Sequence, residues 1–199
     1  MAQPRKHKAA LVTAAAKLFR RHGYAATGLT EILQESGAPR GSLYYYFPGG
    51  KEEVAAAAVE SAGQLVSRTL EALADEAMSA DEFFDKYTNM LAGWMAASKF
   101  KDGCPIATTI LETVPQSDQI TSIAQQVFAQ WRSIIAGVLH RDGIPMEDAQ
   151  PLADYVMATV EGALLMARVQ HDTQPFKNAA ENFKALVDQR QSGSSSGKA

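Results

Sequence analysis

The sequence holds a single cysteine, Cys104, among 199 residues. That excludes an intramolecular disulfide and any multi-cysteine metal site. It lacks an apolar run of the roughly 18 residues that a membrane-spanning helix needs. Residues Met1 to Lys8 are polar and basic where a secretory leader would be apolar, so export is not expected. No stretch alternates like a strand, and there is no internal repeat. The expectation is an all-helical cytoplasmic chain without cofactor, of ordinary globular composition at 46% hydrophobic and 21% charged residues.

Acidic residues are scarce at one end. Through Lys51 eight Lys and Arg face only Glu31 and Glu35, a net +6, whereas the remainder carries −9, which together give the chain's −3. A basic first quarter on an acidic body fits a polyanionic partner, although chance surface charge would read the same.

Apolar spacing and punctuation divide the chain into helices. Lys6 to His22 carries Ala10, Ala14 and Leu18 at helical spacing, and Gly23 stops it. Thr27 is placed to cap a helix from Leu29 to Ser36, which Gly37 ends. Pro39 suits the first position of a short third helix reaching Phe47, and Pro48-Gly49-Gly50 breaks the chain. A long helix follows from Lys51 to Ala77. Others fit Asp81 to Ala97, Ile106 to Thr113, Asp118 to His140, Glu147 to Gln170 and Phe176 to Arg190, with Pro151 a candidate for the true first turn of the helix begun at Glu147. The Gly/Ser-rich segment 192–199 reads as a disordered tail. The break at Pro48-Gly49-Gly50 and the tail divide the chain into 1–50, 51–191 and 192–199.

Two short helices joined by a tight glycine-containing turn are the device that lays a second helix in the DNA major groove. Ile32, Leu33, Leu43 and Phe47 supply the apolar contacts that would fix their angle. Arg40 can pair bidentately with guanine or meet a phosphate, Gly41 lets the backbone approach, and Ser42 can donate or accept. Tyr44, Tyr45 and Tyr46 splay by about 100° per residue, so all three cannot be core and at least one should reach the DNA backbone. Thr27 and Lys51 stand at helix N-termini, where phosphates can be clamped. Each residue alone has an ordinary structural reading; their order and spacing carry the argument.

Ala15-x-x-Leu18-Phe19, His22-Gly23-Tyr24, Thr27-x-Leu29, Gly37, Gly41-x-Leu43-Tyr44-x-Tyr46-Phe47 and Lys51-Glu52 together resemble the N-terminal domain of the tetracycline-repressor (TetR) family. Phe47-Pro48-Gly49-Gly50-Lys51-Glu52-Glu53 with Gly103-Cys104-Pro105-Ile106-Ala107 resembles its LmrA/YxaF-like branch. Pro39 departs from the commoner pattern, in which a serine caps the third helix and touches phosphate. The resemblance implies a ligand-responsive repressor, with a three-helix helix-turn-helix domain followed by a helical ligand-binding and dimerisation domain. It implies a homodimer built by the last two long helices, a palindromic double-stranded operator and a small-molecule inducer. The stripe Phe176, Ala179, Ala180, Phe183, Leu186 and Val187 suits such a seam and suits an intramolecular core equally. In the first case a lysine at Phe183 would separate the protomers.

Soft and aromatic side chains in the middle helices can line an adaptable pocket, as they can any core. The candidate ligand residues are Trp94, Met95, Phe100, Cys104, Thr108, Glu112, Phe128, Trp131, Met157 and Glu161. Glu112 and Glu161 could hold a cationic ligand, pair with an arginine or reach solvent. One alternative is a ligand-independent DNA-binding regulator or activator. Another is an enzyme with Cys104 as nucleophile at a helix start and His140 or His171 as base, against which nothing else resembles a catalytic framework.

Overall fold

A computed structural model describes residues 3–195, and their side chains over 6–190. The described residues form nine helices and no strand. These are α1 (Gln3–His22), α2 (Leu29–Ser36), α3 (Arg40–Tyr46), α4 (Lys51–Glu76), α5 (Ala80–Ala97), α6 (Ala107–Thr113), α7 (Asp118–Arg141), α8 (Met146–Gln170) and α9 (Gln174–Ser195). The all-α expectation holds.

Four local expectations are corrected. Thr27 does not cap α2: its hydroxyl donates to the Gly23 carbonyl at 2.8 Å, and Gly28 takes the cap position without a side-chain bond. Pro39 precedes α3 instead of starting it, because its ψ of 141° is extended. Pro151 lies inside α8, since the amides of Asp148 and Ala149 already bond to the Pro145 carbonyl at 3.0 and 2.8 Å. Cys104 is outside α6, which begins at Ala107, so it does not open a helix. At the other end α9 runs through Ser195, into the segment read as a tail, and residues 196–199 lie outside the described ones.

The chain divides into two compact units. The first comprises Met1–Leu65 and Gly103–Phe128, so the residues read as a DNA-binding domain share a unit with the first half of α4, with α6 and with the start of α7. Its core is built on α1: Leu11, Ala15 and Phe19 are fully buried, as are Ile32 of α2 and Leu43 of α3. Lys17 of α1 also binds the Glu35 carboxylate of α2, which holds that carboxyl below its usual range. The second comprises Val66–Asp102 and Ala129–Ala199. There α5, α8 and α9 pack through Phe83, Phe84, Val156, Phe176, Phe183 and Val187, all buried. The rings of Phe84 and Phe183 lie 4.3 Å apart.

The start of α5 is a reciprocal cap. Ser79 Oγ accepts the Glu82 amide at 3.2 Å, while Glu82 Oε2 accepts the Met78 amide at 2.8 Å. That amide, with Lys86 beside it, holds the Glu82 carboxyl below its ordinary 4.5. A carboxyl whose pKa is depressed by folding stabilises the native state above its unfolded pKa and loses that contribution as pH falls through the folded value. Urea denaturation across acidic pH is therefore expected to show the stability gap between wild type and Glu82→Gln narrowing below about pH 4.5.

Candidate nucleic-acid interface

Gly37 turns α2 into α3. It adopts φ 63°, ψ 13°, a left-handed conformation open to glycine at little cost, and its amide bonds back to Gln34. Ser36 Oγ accepts the Ala38 amide at 3.2 Å, which fixes the exit of the turn. Two side chains then anchor α3 from beneath: Leu43 is fully buried and Phe47 is 1% exposed. With that side fixed, helical periodicity dictates what faces out. Arg40, Gly41, Tyr44 and Tyr45 are exposed, and Ser42 and Tyr46 are half-buried at the margin. Tyr45 is 76% exposed, and its ring meets Tyr46 edge-on at 4.9 Å.

The outward arc combines a forked cation, a bare backbone position and two phenols. Arg40 offers planar donors matched to guanine or phosphate, and the tyrosines offer hydroxyls on flat apolar bodies. Six of the eight residues assigned to DNA by their order in the sequence thus share one short helix, four of them fully outward.

The other two turn inward. Thr27 is fully buried, with its hydroxyl on Gly23, and is corrected from a phosphate contact to a turn lock. Lys51 is half-buried and reaches back across its unit. Its Nζ donates to the Ala25 carbonyl at 3.3 Å and sits 4.3 Å from the centre of the Tyr24 ring. Burial raises the pKa of the Tyr24 hydroxyl, and the charge of Glu52 adds to the effect. In this structure Lys51 braces the α1–α2 turn.

Sequence reasoning missed the other half of that brace. Glu112, assigned to a ligand, is exposed on α6 and accepts the amides of Ala25 and Tyr24 at 2.5 and 3.2 Å. Ser117 ties α4 to the start of α7 by donating to Glu52 while accepting the Ile120 amide. The pairs are separated by 87, 88 and 65 positions, and no local pattern announces them.

The remaining ligand candidates are divided between the units. Cys104, Thr108 and Phe128 belong to the first; Trp94, Met95, Phe100, Trp131, Met157 and Glu161 belong to the second. Cys104, Met95 and Trp131 are buried, and the others are half-buried. Thr108 Oγ1 is enclosed and makes no hydrogen bond. Phe100 stacks on His171 at 5.9 Å, and His140 Nδ1 lies 3.1 Å from the Ile144 carbonyl. The second unit also shows a groove of about 570 Å³ between α8 and α9, lined by Tyr155, Thr159, Gly162, Met166, Asn182 and Leu186 among others. None of the ten candidates lines that groove.

A glycine-turned helix pair with a polar arc on its second helix defines a helix-turn-helix DNA-binding protein. Residues 11–58 match the model of the tetR family of bacterial regulatory proteins, and residues 80–182 match the C-terminal domain of LmrA/YxaF-like transcriptional regulators. The chain belongs to the TetR family of transcriptional regulators, in its LmrA/YxaF-like group. It is 37% identical over 182 residues to the HTH-type transcriptional regulator Rv0196 of Mycobacterium tuberculosis, covering 89% of this chain and 92% of that protein. It is 31% identical over 181 residues to the HTH-type transcriptional regulator LmrA of Bacillus subtilis, covering 89% and 94%. The fold is also similar to the crystal structure of regulatory protein TetR from Rhodobacter sphaeroides. There the TM-score is 0.79 at 24% identity, covering 88% of this chain and 95% of that one. Proteins of this family regulate transcription and are not enzymes, so the Cys104 nucleophile reading is set aside. Among the described residues no helix is long and apolar enough to cross a membrane.

Proposed function

We propose that this chain is a cytoplasmic repressor that binds a palindromic operator as a homodimer and releases it when a small molecule occupies the second unit. The observation that carries the reading is the outward arc Arg40, Gly41, Tyr44 and Tyr45 on a helix pinned by Leu43 and Phe47. The net +6 through Lys51 draws that arc to phosphates, and two-fold symmetry would place two such arcs in successive major grooves. The apolar groove face of α8 and α9 supports the dimer. Half-buried Trp94 and Phe100 with buried Met95 and Trp131, all of the second unit, support an apolar effector.

The test starts from a random-duplex library enriched on the wild-type protein. A palindrome should emerge. Arg40→Ala should then weaken binding to it by roughly 1–3 kcal/mol and relax the preference at one symmetric base pair. Equal wild-type affinity for the enriched and the starting duplexes would refute the reading.

A further inference from the structure

We infer that Glu112 is a positioning residue for DNA binding, a carboxylate on α6 that sets the α1–α2 turn from which the reader helices hang. The inference rests on the DNA-reading role proposed for α3. Its geometry is independent of that role.

The Tyr24–Ala25 segment is gripped from two sides. Glu112 Oε2 and Oε1 accept the amides of Ala25 and Tyr24 at 2.5 and 3.2 Å, and Lys51 donates to the Ala25 carbonyl at 3.3 Å. Gly23 makes room for the first grip. Its φ is +87°, and a Cβ built there would fall 2.3 Å from Glu112 Oε1. Thr27 closes the same turn onto the Gly23 carbonyl, directly before α2 begins. Moving the carboxylate therefore frees the stretch that sets where α2, and α3 behind it, lie on the core of their unit.

Each of the two amides bonds a different oxygen of the one side chain. An ionised carboxylate is acceptor-only and satisfies both. The amide of glutamine has one acceptor oxygen, and its NH2 would confront the second amide.

The sign of the effect separates positioning from plain electrostatics. A carboxylate beside a DNA-binding unit repels phosphates, so deleting it for charge alone should tighten every duplex alike. Positioning demands the reverse on the specific duplex only. With affinities based on the active fraction from stoichiometric titration, Glu112→Ala is expected to bind the library-enriched duplex about tenfold more weakly. Glu112→Gln should lie between it and wild type. Neither variant should lose affinity for random duplex. Because glutamine is isosteric, it serves if the alanine variant does not fold. Unchanged affinity for the enriched duplex, or equal weakening on both duplexes, overturns the inference while the DNA-reading role of α3 stands. A wild type with no preference between the duplexes overturns both.

Discussion

Exchanging Met166 for aspartate is expected to leave a folded protein that sediments as a monomer and binds its operator at least about a hundredfold more weakly. α8 carries two apolar stripes. Leu152, Val156, Val160, Ala163 and Ala167 are buried and belong to the core of the second unit. Tyr155, Thr159, Gly162, Met166 and Val169 recur at the same alternation of three and four, and they are the outward set. Tyr155 is 45%, Met166 50% and Val169 74% exposed. A second stripe at this spacing on a helix whose first stripe is already satisfied is the pattern of a helix with a partner to come. α9 extends the surface with Asn182 and Leu186 across the groove. A carboxylate at Met166 would enter a groove whose lining holds no Lys or Arg, and burying an unpaired charge there would be costly. The fold should survive because Met166 is half exposed in the single chain. A lone protomer presents one reader helix, so the second half-site no longer binds intramolecularly, and that term is commonly worth about 10²–10⁴. Sedimentation velocity and fluorescence anisotropy on one preparation check both halves. Wild-type protein that is itself monomeric at micromolar concentration would end the argument.

Phe183→Ala should act on stability, at a cost of about 3–5 kcal/mol in chemical denaturation. Phe183 is 2% exposed and Phe84 1%, with their rings 4.3 Å apart at 41°. Removing one ring leaves a cavity that its neighbours fill only incompletely, and the aromatic contact is lost with it. A lysine at this position, expected from the sequence to separate the protomers, would instead place an ammonium in the intramolecular core and unfold the second unit. At about 20 °C Phe183→Ala should retain the wild-type oligomeric state wherever it remains folded, the reverse of Met166→Asp. If Phe183→Ala dissociated a dimer at unchanged chemical stability, the residue would have been placed on the wrong face.

The contrast between these two positions shows what is legible in the sequence. Helix existence followed from local spacing, and the bounds of α2 came out at Leu29 and Ser36 as expected, because Gly37 marks its end. The exposed side of α3 followed as well, since Leu43 and Phe47 identify its inner side and leave Arg40, Gly41, Tyr44 and Tyr45 outside. What the chain conceals is which of two apolar faces finds a partner within the molecule. Phe183 and Met166 are both apolar, and only the packing of α5 against α9 separates them. Long-range polar ties were invisible for a related reason. Glu112 reads as a stray carboxylate until the fold brings the Tyr24 and Ala25 amides to it. Lys51 likewise reads as a phosphate clamp until the Ala25 carbonyl lies within its reach.

The way α3 is mounted separates two kinds of inheritance. Its hold on the protein passes through Leu43 and Phe47, and its outward chemistry through Arg40, Gly41, Tyr44 and Tyr45, with the half-buried Ser42 and Tyr46 at the margin between the two sets. A Cβ added at Gly41 meets no atom within 4 Å, so even that position has room for the first carbon of a side chain. Changes in the outward set cost the fold little, and changes in the inward set leave the chemistry offered to DNA unaltered. A gene copy can therefore acquire a new target sequence through a few substitutions on a single short helix, without first passing through an unstable ancestor.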